Sequence, residues 1–369
     1  MGIPSDKKIV YDINNKLCVI ISSMKKLISL FKIRLFEYRL LKSYIGSVPF
    51  WKLVYNFLKY GIIGESVRLE TSSVCQLKCP LCPTGMGINK KGVVGWGFLN
   101  LGNFKKFVDE NPEIKKVEIS NYGEIFLNPS LGEILRYAYE KGINLSAGTG
   151  ANFNFVREDI LEALVKYQFK RFNIALDGAS QETYQIYRKG GDFNNVIKNI
   201  KRLNYYKEKY NSKFPIITWQ FVIFGHNEHE LPKAKAMAGE LNMKFVPKAN
   251  WNPSFSPVKD KETVLKESGI DVSKTQEPWC YQLWKSPQIN WDGKLLGCCV
   301  NIWSDFGNVF ENGLEKSLRS EKYRYTKEML LGLKPPREDI PCLKCPVYKS
   351  GIFQKEVSKI LGERAQNYE

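Results

Sequence analysis

Cys75, Cys79 and Cys82 lie in the stretch TSSVCQLKCPLCPTG, a C-x3-C-x2-C spacing whose short loops can bring three thiols to one point. Thiolates bind soft metals, and an intracellular cysteine cluster is more readily a metal site than a set of disulfides. A structural zinc normally completes four ligands, yet no fourth Cys or His stands nearby, and the chain has only two histidines, His226 and His229. A 4Fe-4S cube held by three cysteines leaves one iron without a protein ligand, open to a chelating substrate or cosubstrate. The missing fourth ligand is the informative feature, with zinc or a purely structural role as its alternative.

Three thiols at one point need a frame. Short apolar runs rich in β-branched and aromatic residues recur at 67 to 74, 116 to 121, 143 to 149, 171 to 177, 217 to 224 and 243 to 248. Helical periodicity lies between most of them, as where Asp192 precedes Phe193, Val196, Ile197, Ile200 and Leu203. Six such repeats imply a parallel sheet curved toward a barrel, with the cysteines following the first strand on its C-terminal rim, where such folds build their sites. Residues 252 to 277 look like a connector, after which the pattern turns short and irregular and holds five of the nine cysteines. The expected fold is therefore α/β, a partial (β/α)6 TIM-like barrel followed by a small irregular α+β domain. The expected boundaries are a basic helical extension over 1–64, the barrel over 65–255, the smaller domain over 256–350 and a tail over 351–369.

With 369 residues the chain can bury a substantial core. Its net charge of +17 comes without a zinc-finger, homeodomain or RNA-binding signature, which points to anionic partners and not to specific nucleic-acid readout. Residues 1–60 hold eleven Lys/Arg against three acids, and from Met24 the apolar Leu27, Ile28, Phe31, Leu35, Tyr38 and Leu41 recur at helical spacing. Such a helix could touch an anionic membrane surface or a lipid-linked substrate, or simply pack on the main domain with a solvated basic face. No spanning run, secretory signal or myristoylation match is present, so the expectation is a cytoplasmic protein with peripheral membrane contact.

The cysteine loop after strand one of a six-fold β-α partial barrel resembles the radical S-adenosylmethionine (SAM) superfamily. That resemblance implies a 4Fe-4S cluster on Cys75, Cys79 and Cys82 whose open iron binds SAM, and a 5′-deoxyadenosyl radical that abstracts a substrate hydrogen. SNYGEIFLNP resembles the family's G-G-E motif, so Gly123 and Glu124 would hold the SAM amino group. Asn152 lies where the ribose is usually contacted, while NIALDGASQETYQIYRKGGDF resembles the fourth-strand segment, with Asp177 near the ribose and Arg188 for the carboxylate. The segment QFVIFGHNEHEL is similar to the fifth strand and its turn. Gln76, Leu81, Tyr122 and Ile125 depart from the usual Asn, aromatic, Gly and Pro at their positions.

The later cysteines resemble the SPASM/twitch auxiliary-cluster domain. Cys280, Cys298, Cys342 and Cys345 would hold a second, fully ligated 4Fe-4S cluster, with zinc as the alternative because four thiolates also close a tetrahedral site. Cys298 and Cys299 are adjacent, and which is the ligand stays open; the other would pack or donate a hydrogen atom. A fully ligated cluster suits electron transfer, and an oxidation would also need a base. Lys248, Tyr122 and Glu228 are base candidates by position, although Lys248 could equally be a strand-end surface residue. The resemblance favours oxidation or epimerisation of a sugar, aminocyclitol or glycosyl-type small molecule, anionic in keeping with the basic extension. It also implies a reducing partner such as flavodoxin or ferredoxin. A peptide-modifying enzyme is the alternative, and a non-enzymatic iron–sulfur carrier or scaffold the second.

Overall fold

The computed structural model describes Asn56 and residues 59–62, 64–273 and 280–351. The expected basic N-terminal helix, Cys18 and the tail beyond Gly351 lie outside the described residues. Eight strands form one sheet in the order β6-β5-β4-β3-β2-β1-β7-β8. The six expected runs become β1 (Ser66–Leu69), β2 (Lys116–Glu118), β3 (Asn144–Ala151), β4 (Arg171–Ala175), β5 (Ile216–Ile223) and β6 (Lys244–Ala249), each parallel to its neighbour. The sheet does not close, since β6 and β8 are its two ends.

Helices return the chain from strand to strand and bury their apolar stripes against the sheet. Asn100 caps the helix Leu101–Glu110 by accepting from the Asn103 N–H, and Asp192 caps Phe193–Lys209 by accepting from the Asn195 N–H. The second helix buries Phe193, Val196, Ile200 and Leu203, the spacing expected of one face. Val67, Leu69, Val117, Phe172, Ile174 and Trp219 belong to the same fully or nearly fully buried core. Each such branched aliphatic side chain contributes about 1.5–3 kcal/mol.

The connector contains a helix, Lys261–Ser268, started by the Asp260 side chain on the Thr263 N–H and ended at Gly269 with φ of 71°. Beyond it, β7 (Gln288–Ile289) runs parallel to β1, with Arg68 opposite Gln288 and Leu69 opposite Ile289. β8 (Leu295–Gly297) turns back antiparallel on β7. The C-terminal segment thus extends the barrel's own sheet and brings its cysteines beside β1. Among the described residues no helix is long and apolar enough to cross a membrane.

Candidate active site

The first thiol loop is folded by its own backbone. The Cys82 N–H donates to the Cys79 carbonyl at 3.1 Å, the Met86 N–H to the Cys82 carbonyl at 2.8 Å, and the Lys78 N–H ties the loop to the Lys189 carbonyl at 2.9 Å. A Cβ on Gly85 would stand 2.7 Å from the backbone of Cys79, so only glycine lets the loop double back so closely. The thiols rest against Leu77, Tyr187, Val222 and Phe224. Burial, followed by the neighbouring Glu124, pushes the Cys75 thiol up to about 12, and burial likewise raises Cys79 against the opposing pull of Arg188. Thiols in this setting ionise only beside a strong positive charge, which iron supplies; the donor set fits an iron–sulfur group.

Around this loop the structure gathers the residues singled out in the sequence. The Gly123 Cα touches the β1 loop so tightly that a Cβ would lie 2.2 Å from the Ser72 carbonyl oxygen. Glu124 is buried, accepts from the Asn152 N–H at 2.6 Å, and is pushed up to about 7 chiefly by burial. The Asn152 Nδ2 lies 3.7 Å from Cys75 Sγ, and Gln76, the departure from the family's Asn, donates to Asn152 Oδ1 at 3.0 Å. Arg188 lies 3.8 Å from Cys79 Sγ and 2.6 Å from the Asp177 carboxylate. Asp177 is fully buried and its other oxygen accepts from the Val222 N–H at 2.7 Å, so its carboxylate serves Arg188 and the backbone.

Sequence reasoning missed Glu70. It follows β1, is fully buried, and accepts from the N–H groups of Tyr122 at 3.1 Å and Gly123 at 3.3 Å, which fixes the Gly123–Glu124 turn. Burial pushes its carboxyl up to about 8 against those hydrogen bonds. Its only sequence signal is an acid ending an apolar strand.

Cys280, Cys298, Cys342 and Cys345 line one small apolar cavity whose walls include Leu283, Leu296, Trp303, Phe306 and Leu330. Burial raises Cys280 strongly and Cys298 to about 12, with neighbouring thiols adding to the effect. No three Cys, His, Asp or Glu among the described residues converge closely enough for one metal ion. Cys299 lines a second cavity instead, beside Arg68, and its N–H donates to Gln282 at 3.1 Å.

That second cavity holds about 2060 Å³, its open mouth included, and lies between strands β1–β4 and the thiols Cys280, Cys298, Cys299 and Cys345. The base candidates are engaged elsewhere. Tyr122 donates its hydroxyl to the Asn301 carbonyl at 2.9 Å, and burial raises its pKa well above the ordinary phenol value. Lys248 donates to Gln220, with burial lowering its pKa. Glu228 accepts from the Lys259 N–H at 2.9 Å.

A parallel partial barrel with a three-thiol loop on its C-terminal rim and a four-thiol cavity at its flank defines an iron–sulfur enzyme. The profile of the Radical SAM superfamily matches residues 69–234, and that of an iron–sulfur cluster-binding domain, SPASM, matches residues 280–346. The chain belongs to the radical SAM superfamily, in the group that carries a C-terminal SPASM-type domain, and its cofactors are SAM and 4Fe-4S clusters. It is 28% identical over 234 residues to the AdoMet-dependent heme synthase of Methanosarcina barkeri, a match covering 59% of this chain and 63% of that protein. It is 26% identical over 318 residues to the subtilosin biosynthesis protein AlbA of Bacillus subtilis, covering 78% of this chain and 66% of that protein. The matches thus span just under two thirds of the length of these curated relatives. In fold it is similar to Streptococcus suis SuiB bound to S-adenosylmethionine, with a TM-score of 0.57 at 14% identity over 87% of this chain and 82% of that one.

Proposed function

We propose that this radical SAM enzyme modifies a peptide. The observation that carries the reading is the likeness to AlbA, a bacteriocin biosynthesis protein, across 78% of the chain, a span that includes residues of both matched domains. The fold likeness to SuiB bound to its precursor peptide, with a TM-score of 0.56, is in keeping with it. The glycosyl-type substrate expected from the basic extension rests on residues outside the described part, and the comparisons favour the peptide.

Cys75, Cys79 and Cys82 would hold the SAM-binding cluster, and Cys280, Cys298, Cys342 and Cys345 the auxiliary one. Bound there, cluster and SAM supply a 5′-deoxyadenosyl radical that takes a hydrogen from the substrate. In this reading Gly123 and Glu124 receive the SAM amino group, Asn152 orients the ribose side, and Arg188 takes the carboxylate with Asp177 as its positioning residue. Glu70 holds the Tyr122–Gly123 backbone, and Tyr122 links that turn to Asn301. Cys299 presents a thiol to the barrel cavity, where it would return a hydrogen atom to the substrate. A small redox protein such as flavodoxin or ferredoxin supplies the electron. Coexpression with short precursor peptides encoded beside the gene, followed by mass spectrometry and chiral amino-acid analysis, tests this. The reading expects a peptide altered only with intact Cys75; 5′-deoxyadenosine formation with no altered peptide and with turnover of a sugar substrate would overturn it.

A further inference from the structure

We propose that the barrel cavity contains an anion subsite, built by Arg68, Lys170 and Arg171, that selects a peptide segment bearing acidic side chains; this rests on the peptide reading above. The cavity lining is strongly basic, with Arg68, Lys116, Lys170, Arg171 and Lys285 against the single carboxylate of Glu118. Lys116 already faces Glu65 at 3.5 Å. Glu118 is spent on its surroundings, accepting from the Gly148 N–H at 2.6 Å and from the hydroxyls of Ser120 and Ser146 at 2.8 Å each.

Arg68, Lys170 and Arg171 have no such direct carboxylate partner among the described residues. Arg68 is fixed by neutral groups, donating to Gln288 at 2.9 Å, to the Ser120 carbonyl at 3.0 Å and to the Thr149 hydroxyl. Arg171 opens β4, and its guanidinium comes within 3.7 Å of where a Cβ on Gly148 would stand. Both guanidiniums therefore lie beside the Gly148–Thr149 stretch of β3, where the Glu118 carboxylate, already held by its own donors, stands 3.2 Å from the same Gly148 Cβ position. Lys170 lies next to Arg171, its ammonium over the Phe214 ring at 4.3 Å and its pKa lowered by burial and by nearby Lys213. Among the described residues Arg68, Lys170 and Arg171 form no ion pair with an acid. A cluster of positive charge favours a carboxylate and disfavours a cation, and a guanidinium offers it forked hydrogen bonds. The site borders Cys299 and the auxiliary thiols, so an acidic residue held here would place neighbouring residues beside them.

The test uses the full-length, anaerobically reconstituted protein and fluorescein-labelled hexaglutamate and hexaglutamine, with binding read by anisotropy. Hexaglutamate should bind about tenfold more tightly, and the double variant Lys170→Gln/Arg171→Gln should lose most of that preference while keeping its iron. The surface pair Lys198→Gln/Lys201→Gln, on an exposed helix face, should leave it unchanged. Equal affinity for the two peptides, or equal losses in both double variants, would overturn the subsite, because the overall charge of +17 would then explain any binding. Displacement of hexaglutamate by glucose 6-phosphate at matched concentration would overturn selection of an acidic peptide. This readout needs no SAM cleavage, so its failure is separable from failure of the peptide-modifying reading.

Discussion

Asp177 and Arg188 form an ion pair at 2.6 Å in which the carboxylate is fully buried and the guanidinium stands 3.8 Å from Cys79 Sγ. Eleven positions apart, at the end of β4 and of the helix Gln181–Tyr187, they meet because that short helix turns back over the strand end. Asp177 anchors the cation through a second bond to the Val222 N–H, so the guanidinium is aimed before any ligand arrives.

Asp177→Asn should therefore act through Arg188. It leaves a buried guanidinium without its counter-charge, which costs about 3–5 kcal/mol when one partner of a buried pair is removed. Urea unfolding should show that loss, and equilibrium dialysis should show SAM affinity falling about tenfold or more. Unchanged SAM affinity in a folded variant would mean that Arg188 does not contact the ligand.

Gly123→Ala should displace the Gly123–Glu124 turn. Its Cβ would meet the Ser72 and Val74 carbonyl oxygens at 2.2 and 2.6 Å, and those are backbone atoms that cannot swing aside. A stability loss of about 1–3 kcal/mol is expected, together with loss of SAM binding measured on the reconstituted protein.

Glu70 gives a pH dependence of known sign. Its carboxyl is raised to about 8 in the folded chain, above the ordinary value of 4.5. Its contribution to stability is fully present below the unfolded value and is lost as pH rises through the folded one. Thermal unfolding followed from pH 5 to pH 9 should show a midpoint falling across this window. Glu70→Gln, which carries no proton to lose, should flatten that part of the curve.

Cys298 and Cys299 are neighbours with different surroundings: both line the barrel cavity, and of the two only Cys298 also lines the four-thiol cavity. Cys298→Ala should drop the iron content from about eight to about four per chain, whereas Cys299→Ala should keep about eight. The reverse pattern would exchange their roles.

Much of the frame was legible in the sequence because buried parallel strands are mostly apolar, as the run that became β5, IITWQFVI, shows. The thiol loop was legible because three ligands this close leave few alternatives. Other relationships carried no local signal. The pairing of β7 with β1 joins segments more than two hundred residues apart, and nothing in Gln288 or Ile289 announces it. Glu70 reads as an ordinary acid until its two backbone donors are seen, and Arg68 reads as a surface charge until its bonds to Gln288 and the Ser120 carbonyl are seen. Cys298 and Cys299 look alike in sequence, since only the chain's path decides which thiol reaches the four-thiol cavity.

The most direct measurement is 5′-deoxyadenosine released from SAM by the anaerobically reconstituted, dithionite-reduced protein, compared with Cys75→Ala. Release by the native chain, and none from a variant that retains about four irons at the auxiliary site, is the predicted result. No release from a native chain holding about eight irons, or undiminished release from Cys75→Ala, would contradict the assignment of Cys75, Cys79 and Cys82 as the SAM-cleaving centre.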